Sequence, residues 1–373
     1  MNDAAPTRIN ALTSWRGIFI LSVVLFHSGE ELFMELATSG VVGFFIMSGF
    51  LMRMKHQPEP IRGARFKSFV ANRALRLYSI HWFAFALLMA ATFGFSATLP
   101  YMSWGALVPN LLLVQSFVPD VNVFFSFNTA TWFLCDLLIC YLCYPYIATW
   151  LDRIRLRWQL LLFAVLQIAY FVCMCALTDP DLVTYAHVFP PFRIYEFTAG
   201  IILYNVYKAL RPRLTGWNMA KATLAEVLVV GLYVGLMVFS QAWDYQDKDK
   251  FNDSVMWEIP LSLLLLVFVL NAGTEGIISR ILHWKPMVWL GSICFEIFLL
   301  HSLSGLVFGY LVSPFLGHFG IDVYGHYAFG QLPILLVMGY VMHRWFTLPV
   351  FAWASRLSAR KWKKVVGDGN KRG

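Results

Sequence analysis

The chain has 373 residues, 59% of them hydrophobic and only 13% charged, with a formal net charge of +8. Soluble domains carry about 25% charged residues, and apolar runs approaching ~20 residues recur throughout, so a polytopic helical membrane protein is expected. Backbone polar groups in hydrocarbon need internal partners, and the alternating pattern that would signal barrel strands is absent.

The positive charge describes topology, not nucleic-acid binding. Seven basic residues fall in 53–76, three in 151–158, four in 208–221, two in 273–285 and seven in 354–373. These are alternate loops, as the positive-inside rule requires. The intervening loops are acidic or neutral, with Asp179 and Asp181 in one and Asp244, Asp247, Asp249 and Asp253 in another. Expected spans lie at 16–34, 38–52, 77–95, 128–149, 159–177, 194–209, 222–241, 255–272, 288–311 and 328–348. Ten crossings put both termini on the cytoplasmic side. The fold expected is therefore an all-α bundle of about ten transmembrane helices in the cytoplasmic membrane. The N-terminus lacks a small-residue cleavage site and reads as an uncleaved first helix.

In the first segment, WRGIFILSVVLFH, ten residues separate Arg16 from His27. An Arg at a helix centre costs roughly 2.5–3.5 kcal/mol on insertion scales. Eleven residues at about 100° each bring the two side chains within ~20° of one face, about 16 Å apart along the axis. Arg16 alone reads as a snorkelling topology anchor. His27 in the same stripe, followed by Glu30 and Glu31 about a turn on, points instead to function.

Arg73 and Arg76 share a helical face at the cytoplasmic end of the third span, where paired guanidiniums suit phosphates; the plainer reading is anchoring. The segment 105–118 is apolar but short and contains Pro109, so it reads as an interfacial or re-entrant piece on the outer side. Asp136 is an intramembrane carboxylate with a hydrogen-bonded interior role by default. The six cysteines lie in apolar stretches and serve packing; no metal-ligand spacing accompanies Cys140 and Cys143. Arg193 and Glu196 open the sixth span three residues apart, as an ion pair at the outer face or a substrate contact. Glu296 and His301 are five apart, about 140° around a helix, and do not face one point. The Lys/Arg-rich tail is a juxtamembrane segment that meets anionic lipid. There is no internal repeat, which weakens the rival reading as a transporter or exporter of an envelope precursor.

RGIFILSVVLFH, GVVGFFIMSGFLM, NRALRLYSIHW, TWFLCDLLICYLCYP, FRIYEFTAG and GSICFEIFLLHS follow one another in order along nearly the whole chain. This ordered set resembles the integral-membrane acyltransferase-3 family of bacterial enzymes that acylate glycans and other envelope molecules. The resemblance implies a single membrane acyltransferase domain over 1–373, with 353–373 as its basic cytoplasmic tail. It implies a bundle of about ten helices that takes an acyl group, commonly acetyl, from cytoplasmic acyl-CoA. The acceptor is usually a sugar hydroxyl at or beyond the outer face. His27 matches the family's essential histidine and Arg16 its partner arginine. Arg73 and Arg76 match an R-x-x-R, and Glu196 matches an acidic position opening a later helix. Many members have a Glu shortly after the Trp of the fourth span; here Asp136 follows Trp132 by four, and no catalytic role is carried onto it.

Acyl transfer from a thioester to a hydroxyl needs a base and oxyanion stabilisation. Only His27 in the first helix exchanges its proton near working pH, as general base on the acceptor or as an acyl-carrying nucleophile. Glu30 or Glu31 orients or charge-stabilises the imidazole, with Glu31 at i+4 the better stacked, or else faces the outer solvent. Arg16 holds the pantetheine or phosphate end of acyl-CoA, and Arg73 and Arg76 the remaining phosphates. Acyl-CoA is the co-substrate, no metal is expected, and membrane lipids are the surroundings.

Overall fold

A computed structural model describes residues 9–56, 63–214, 217–242, 250–251, 255–321 and 327–356. Among these residues there are helices, turns and connecting segments but no strand. In chain order the main helices are α1 (Asn10–His27), α2 (Met34–Lys55), α3 (Gly63–Gly94), α4 (Thr131–Leu151), α5 (Leu156–Ala176) and α6 (Pro190–Leu210). They continue with α7 (Met219–Ala242), α8 (Glu258–Leu270), α9 (Ile277–Leu282), α10 (Lys285–Ser292), α11 (Cys294–Val307) and α12 (Tyr327–Met342). Among the described residues, seven helical runs are long and apolar enough to cross a membrane: Glu31–Lys55, Arg65–Gly94, Thr131–Leu151, Leu156–Ala176, Met219–Ala242, Cys294–His318 and Tyr327–Arg356. The protein is an all-α membrane protein. The other three expected spans form the helices α1, α6 and α8, which fall outside those seven.

Several boundaries differ from expectation, each for a local reason. α1 begins at Asn10 and stops at His27, so the first span is shifted toward the N-terminus. α3 starts well before residue 77 because 64–93 contains neither Gly nor Pro, and nothing ends the helix through its basic stretch. The ninth expected span is two helices, α10 and α11, parted at Ile293. Segment 105–118 forms no long helix. It folds as the turn Trp104–Ala106, the short helix Leu107–Leu111 and the turn Gln115–Phe117, with Leu113 at φ 54. The acidic residues Asp244, Asp247, Asp249 and Asp253, and the tail from residue 357, lie outside the described residues.

The chain divides into two compact units. The first comprises Met1–Gln57 and Ile147–Cys294. Lipid is as apolar as leucine, so helices in a membrane associate through close fit at small residues. Gly49 of α2 lies directly against the Phe197 carbonyl, and Gly200 of α6 against the Ile46 carbonyl. A Cβ at either glycine would strike backbone, and two of the ordered sequence motifs therefore meet at this crossing. Around it lie the buried Trp15, Phe19, Phe50, Tyr204, Trp257 and Phe268.

The second unit comprises Pro58–Tyr146 and Phe295–Gly373. Here α3 runs beside the last helical run, with Phe83 stacked on Phe346 at 4.0 Å between centroids. His81 donates through Nε2 to the Asn110 carbonyl at 3.0 Å. The Asn110 amide in turn donates to the Ser126 carbonyl at 2.9 Å, which folds the 105–118 segment onto α3. Asn128 donates to the Leu299 carbonyl at 2.9 Å and ties the start of α4 to α11.

Candidate active site

α1 is buried along most of its length, yet it presents the two polar groups that the sequence singles out. Arg16 is half-buried and His27 is exposed. Between them on the same face, Ile20, Val23 and Val24 are buried, so that face is open at its two ends and closed in the middle.

His27 is the last residue of α1. The Gly29 amide donates to the Phe26 carbonyl at 3.0 Å and the Glu30 amide to the Leu25 carbonyl at 3.1 Å. Gly29 stands at φ 95, and this pair of bonds is a Schellman closure, which requires a left-handed residue after the helix. The Ser28 hydroxyl adds a bond to the Val24 carbonyl at 2.7 Å. The expected stacking of Glu31 over His27 at i+4 is therefore corrected. The helix has already ended, and exposed Glu31 opens a separate turn, Glu31–Phe33, behind Glu30. The carboxylate that is buried beyond this turn is Glu35, which accepts from the Ser240 hydroxyl at 3.0 Å. Gln241 donates to the Leu32 carbonyl at 3.1 Å, so the end of α7 anchors the reversal after His27.

At its other end α1 rests on α9 and α10. Ser14 donates to the Leu282 carbonyl. Gly17 and Gly291 meet backbone to backbone, with the Thr13 carbonyl against Gly291. The connector that bears α9 is gripped by Glu226, which is fully buried. Its carboxylate accepts from the Gly276 amide (3.1 Å), the Ser279 amide (3.1 Å), the Ser279 hydroxyl (2.6 Å) and the Asn271 amide (3.1 Å).

Arg193 and Glu196 form the ion pair that their spacing allows, and both are completely buried. Arg193 also donates to the His187 carbonyl at 2.8 Å and stands 5.8 Å from the centre of the Phe45 ring. Glu258, another fully buried carboxylate, accepts from Gln167 at 3.4 Å, and Gln167 accepts from the Tyr195 hydroxyl at 2.5 Å.

In the second unit, Arg73 lies over the rings of Phe69 and Tyr141 at 5.6 and 5.3 Å. Arg76 donates to Asn72 at 3.1 Å and to the Ser355 hydroxyl at 2.6 Å, with its guanidinium 4.8 Å above Phe351. Both arginines are half-buried, framed by aromatic faces and polar side chains. Glu296 and His301 do diverge. Glu296 pairs with His343 Nδ1 at 2.8 Å, whereas His301 donates to the Phe298 carbonyl at 2.7 Å. Asp136 is fully buried within α4.

Glu35, Glu226, Glu258 and His343 escape a reading of the sequence alone. Each carboxylate stands in or beside an apolar run, and an intramembrane acid is itself a signal. What sequence does not carry is the set of donors that the fold brings to it.

Fold and residues define a multi-pass helical membrane protein whose first helix carries Arg16 and His27. The acyltransferase-3 family, described as an acyltransferase domain, matches residues 9–357, and the chain belongs to that family. It is 25% identical over 368 residues to acyltransferase MdmB of Streptomyces mycarofaciens, across 90% of each chain. The protein is thus a membrane acyltransferase. No solved structure matches it.

Proposed function

We propose that the protein moves an acyl group, acetyl in the first instance, from cytoplasmic acyl-CoA to a hydroxyl of a cell-surface or lipid-linked glycan. It does so from the cytoplasmic membrane, with ten crossings and both termini inside. The observation that carries this reading is His27, exposed at the end of an otherwise buried helix and fixed there by a Schellman closure. In direct transfer, His27 takes the hydroxyl proton as the acceptor oxygen attacks the thioester carbonyl; the C–S bond then breaks and the thiolate takes up the proton. In the covalent route the imidazole nitrogen attacks the thioester carbonyl and expels the CoA thiolate; the acceptor oxygen then takes the acyl group from the nitrogen, and the hydroxyl proton ends on the thiolate.

Arg16 steadies the donor, and Arg73 and Arg76 offer guanidiniums to its phosphates. Arg193 and Glu196 belong to the acceptor side as a buried brace between α6 and α2, since neither side chain has exposed surface. Glu30 and Glu31 lie beyond the helix end, where their charge acts on the region around His27.

The test is direct. Purified protein in lipid nanodiscs, given acetyl-CoA labelled in the acetyl group, is expected to release CoA and to label a glycan fraction. Uptake of a solute with no turnover of CoA would instead make it a transporter. Arg76→Ala is expected to raise the KM for acetyl-CoA about tenfold, the loss of a charged hydrogen bond to phosphate; an unchanged KM removes Arg76 from donor binding.

A further inference from the structure

Beside the foot of α1 lies a shallow, open cleft of about 810 Å³ lined by Arg280, Ile281, His283, Trp284, Lys285 and Pro286. We propose that this cleft binds the 3′-phosphorylated adenosine of the acyl-CoA donor, the diphosphate being the part offered to Arg73 and Arg76. The inference deepens the proposed function and rests on it.

The chemistry of the lining is that of a nucleotide site. Arg280 and Lys285 are exposed cations, one at each end of the turn that joins α9 to α10. Guanidinium and ammonium groups are the usual partners of phosphate, the first in bidentate fashion. The indole of Trp284 is 64% exposed, with no aromatic neighbour among the described contacts and a face open for a base to stack on. One lining group is already engaged: His283 Nδ1 lies 3.0 Å from Glu275, which leaves Arg280 and Lys285 as the principal anion ligands.

The cleft is also held in place. The four hydrogen bonds into the Glu226 carboxylate clamp the connector and the start of α9. The Trp284 amide donates to the Ile281 carbonyl at 3.0 Å, which closes the turn on which the indole sits. A site whose backbone is ordered beforehand spends less binding energy on ordering it.

Position supplies the link to the reaction. The cleft and α1 belong to the same compact unit, and Ser14 of α1 bonds the carbonyl of Leu282, the residue between two lining residues. From Ser14 the helix climbs thirteen residues to His27, about 20 Å at helical rise, passing Arg16 on the way. A coenzyme A molecule is built on that plan, with charged phosphates at one end, a long flexible arm and the thioester at the other. In the proposed topology the 273–285 loop faces the cytoplasm, where acyl-CoA resides. An anionic lipid headgroup shares the phosphate chemistry, but it has no flat base to offer Trp284.

Two measurements test the assignment. Labelled adenosine 3′,5′-bisphosphate is expected to bind the purified full-length protein in nanodiscs. It is expected to bind the folded Arg280→Gln/Lys285→Gln variant at least about tenfold more weakly. In turnover assays the same variant is expected to lose the preference for acetyl-CoA over acetyl-pantetheine, through a raised KM for acetyl-CoA alone. Unchanged bisphosphate affinity, or an equal rise in KM for both donors, overturns the proposal. So does an effect that appears only when phosphatidylglycerol replaces phosphatidylcholine in the nanodisc, since that outcome makes the cleft a lipid site. If the variant does not fold, Trp284→Ala serves in its place under the same criteria. Bisphosphate binding at this cleft without acetyl-CoA turnover by the native protein would overturn the proposed reaction and leave the nucleotide site standing.

Discussion

At the scale of single residues, the direction of the His27 side chain depends on the reversal that follows it. Ser28 caps α1, Gly29 takes a left-handed conformation at φ 95, and the amides of Gly29 and Glu30 close on Phe26 and Leu25. A side chain at Gly29 meets no neighbouring atom, so the cost of a substitution is the backbone conformation itself. Gly29→Ala is therefore expected to destabilise the protein by about 1–2 kcal/mol, the penalty for an L-residue in the left-handed region. A lowered unfolding temperature together with a reduced acyl-transfer rate would show it; an unchanged rate would mean that the reversal does not position His27. Part of this was legible in the sequence. The same-face arithmetic of Arg16 and His27 needs only the helical repeat, and both do lie on α1. The glycine two residues after His27 is also a standard stop signal. Carrying the first span on to residue 34 passes over that signal, and hence gives Glu31 a stacking position that it does not have.

At the scale of elements, α1 is held by what lies under it. Gly291 of α10 abuts the Thr13 carbonyl, and Gly17 abuts the Gly291 amide nitrogen. Gly291→Ala forces the two helices apart and is expected to cost about 1–3 kcal/mol, seen as a lower unfolding temperature in detergent. Retention of the native temperature would mean that the contact is loose. Glu226 acts one step further out. Glu226→Ala leaves the Gly276 and Ser279 amides without their acceptor and takes one of the two acceptors of the Asn271 amide, at a cost of about 3 kcal/mol or more. Glu226→Gln keeps one acceptor oxygen and is expected to lose less. Equal stability of the two variants would contradict the clamp. These supports are the least legible part of the site. A periodic apolar pattern announces that a helix exists, and a buried Glu announces a partner. The partners of Glu226 lie 45 to 53 positions away in sequence, and only the fold brings them there.

At the scale of the whole molecule, the hydrophobic runs carried most of the helical architecture. All ten expected spans coincide in large part with helices, because an apolar run near the bilayer thickness has few other ways to satisfy its backbone. Short interruptions are harder to see from sequence, as the break at Ile293 and the folding of 105–118 onto α3 show, because both depend on contacts with other helices. The proposed topology predicts that a fluorescent protein fused to the C-terminus fluoresces from the cytoplasmic side, whereas a periplasmic phosphatase fused there stays inactive. The reverse pattern would require an odd number of crossings or the inverted orientation of the bundle. The central claim is that His27 carries the transfer, and the most direct measurement is CoA release from labelled acetyl-CoA by native and His27→Ala protein in matched nanodiscs. The native protein should turn over in the presence of acceptor, and the variant, equally folded, should fall by about a hundredfold or more, the usual worth of a general base. A folded His27→Ala protein that releases CoA at the native rate would contradict the account.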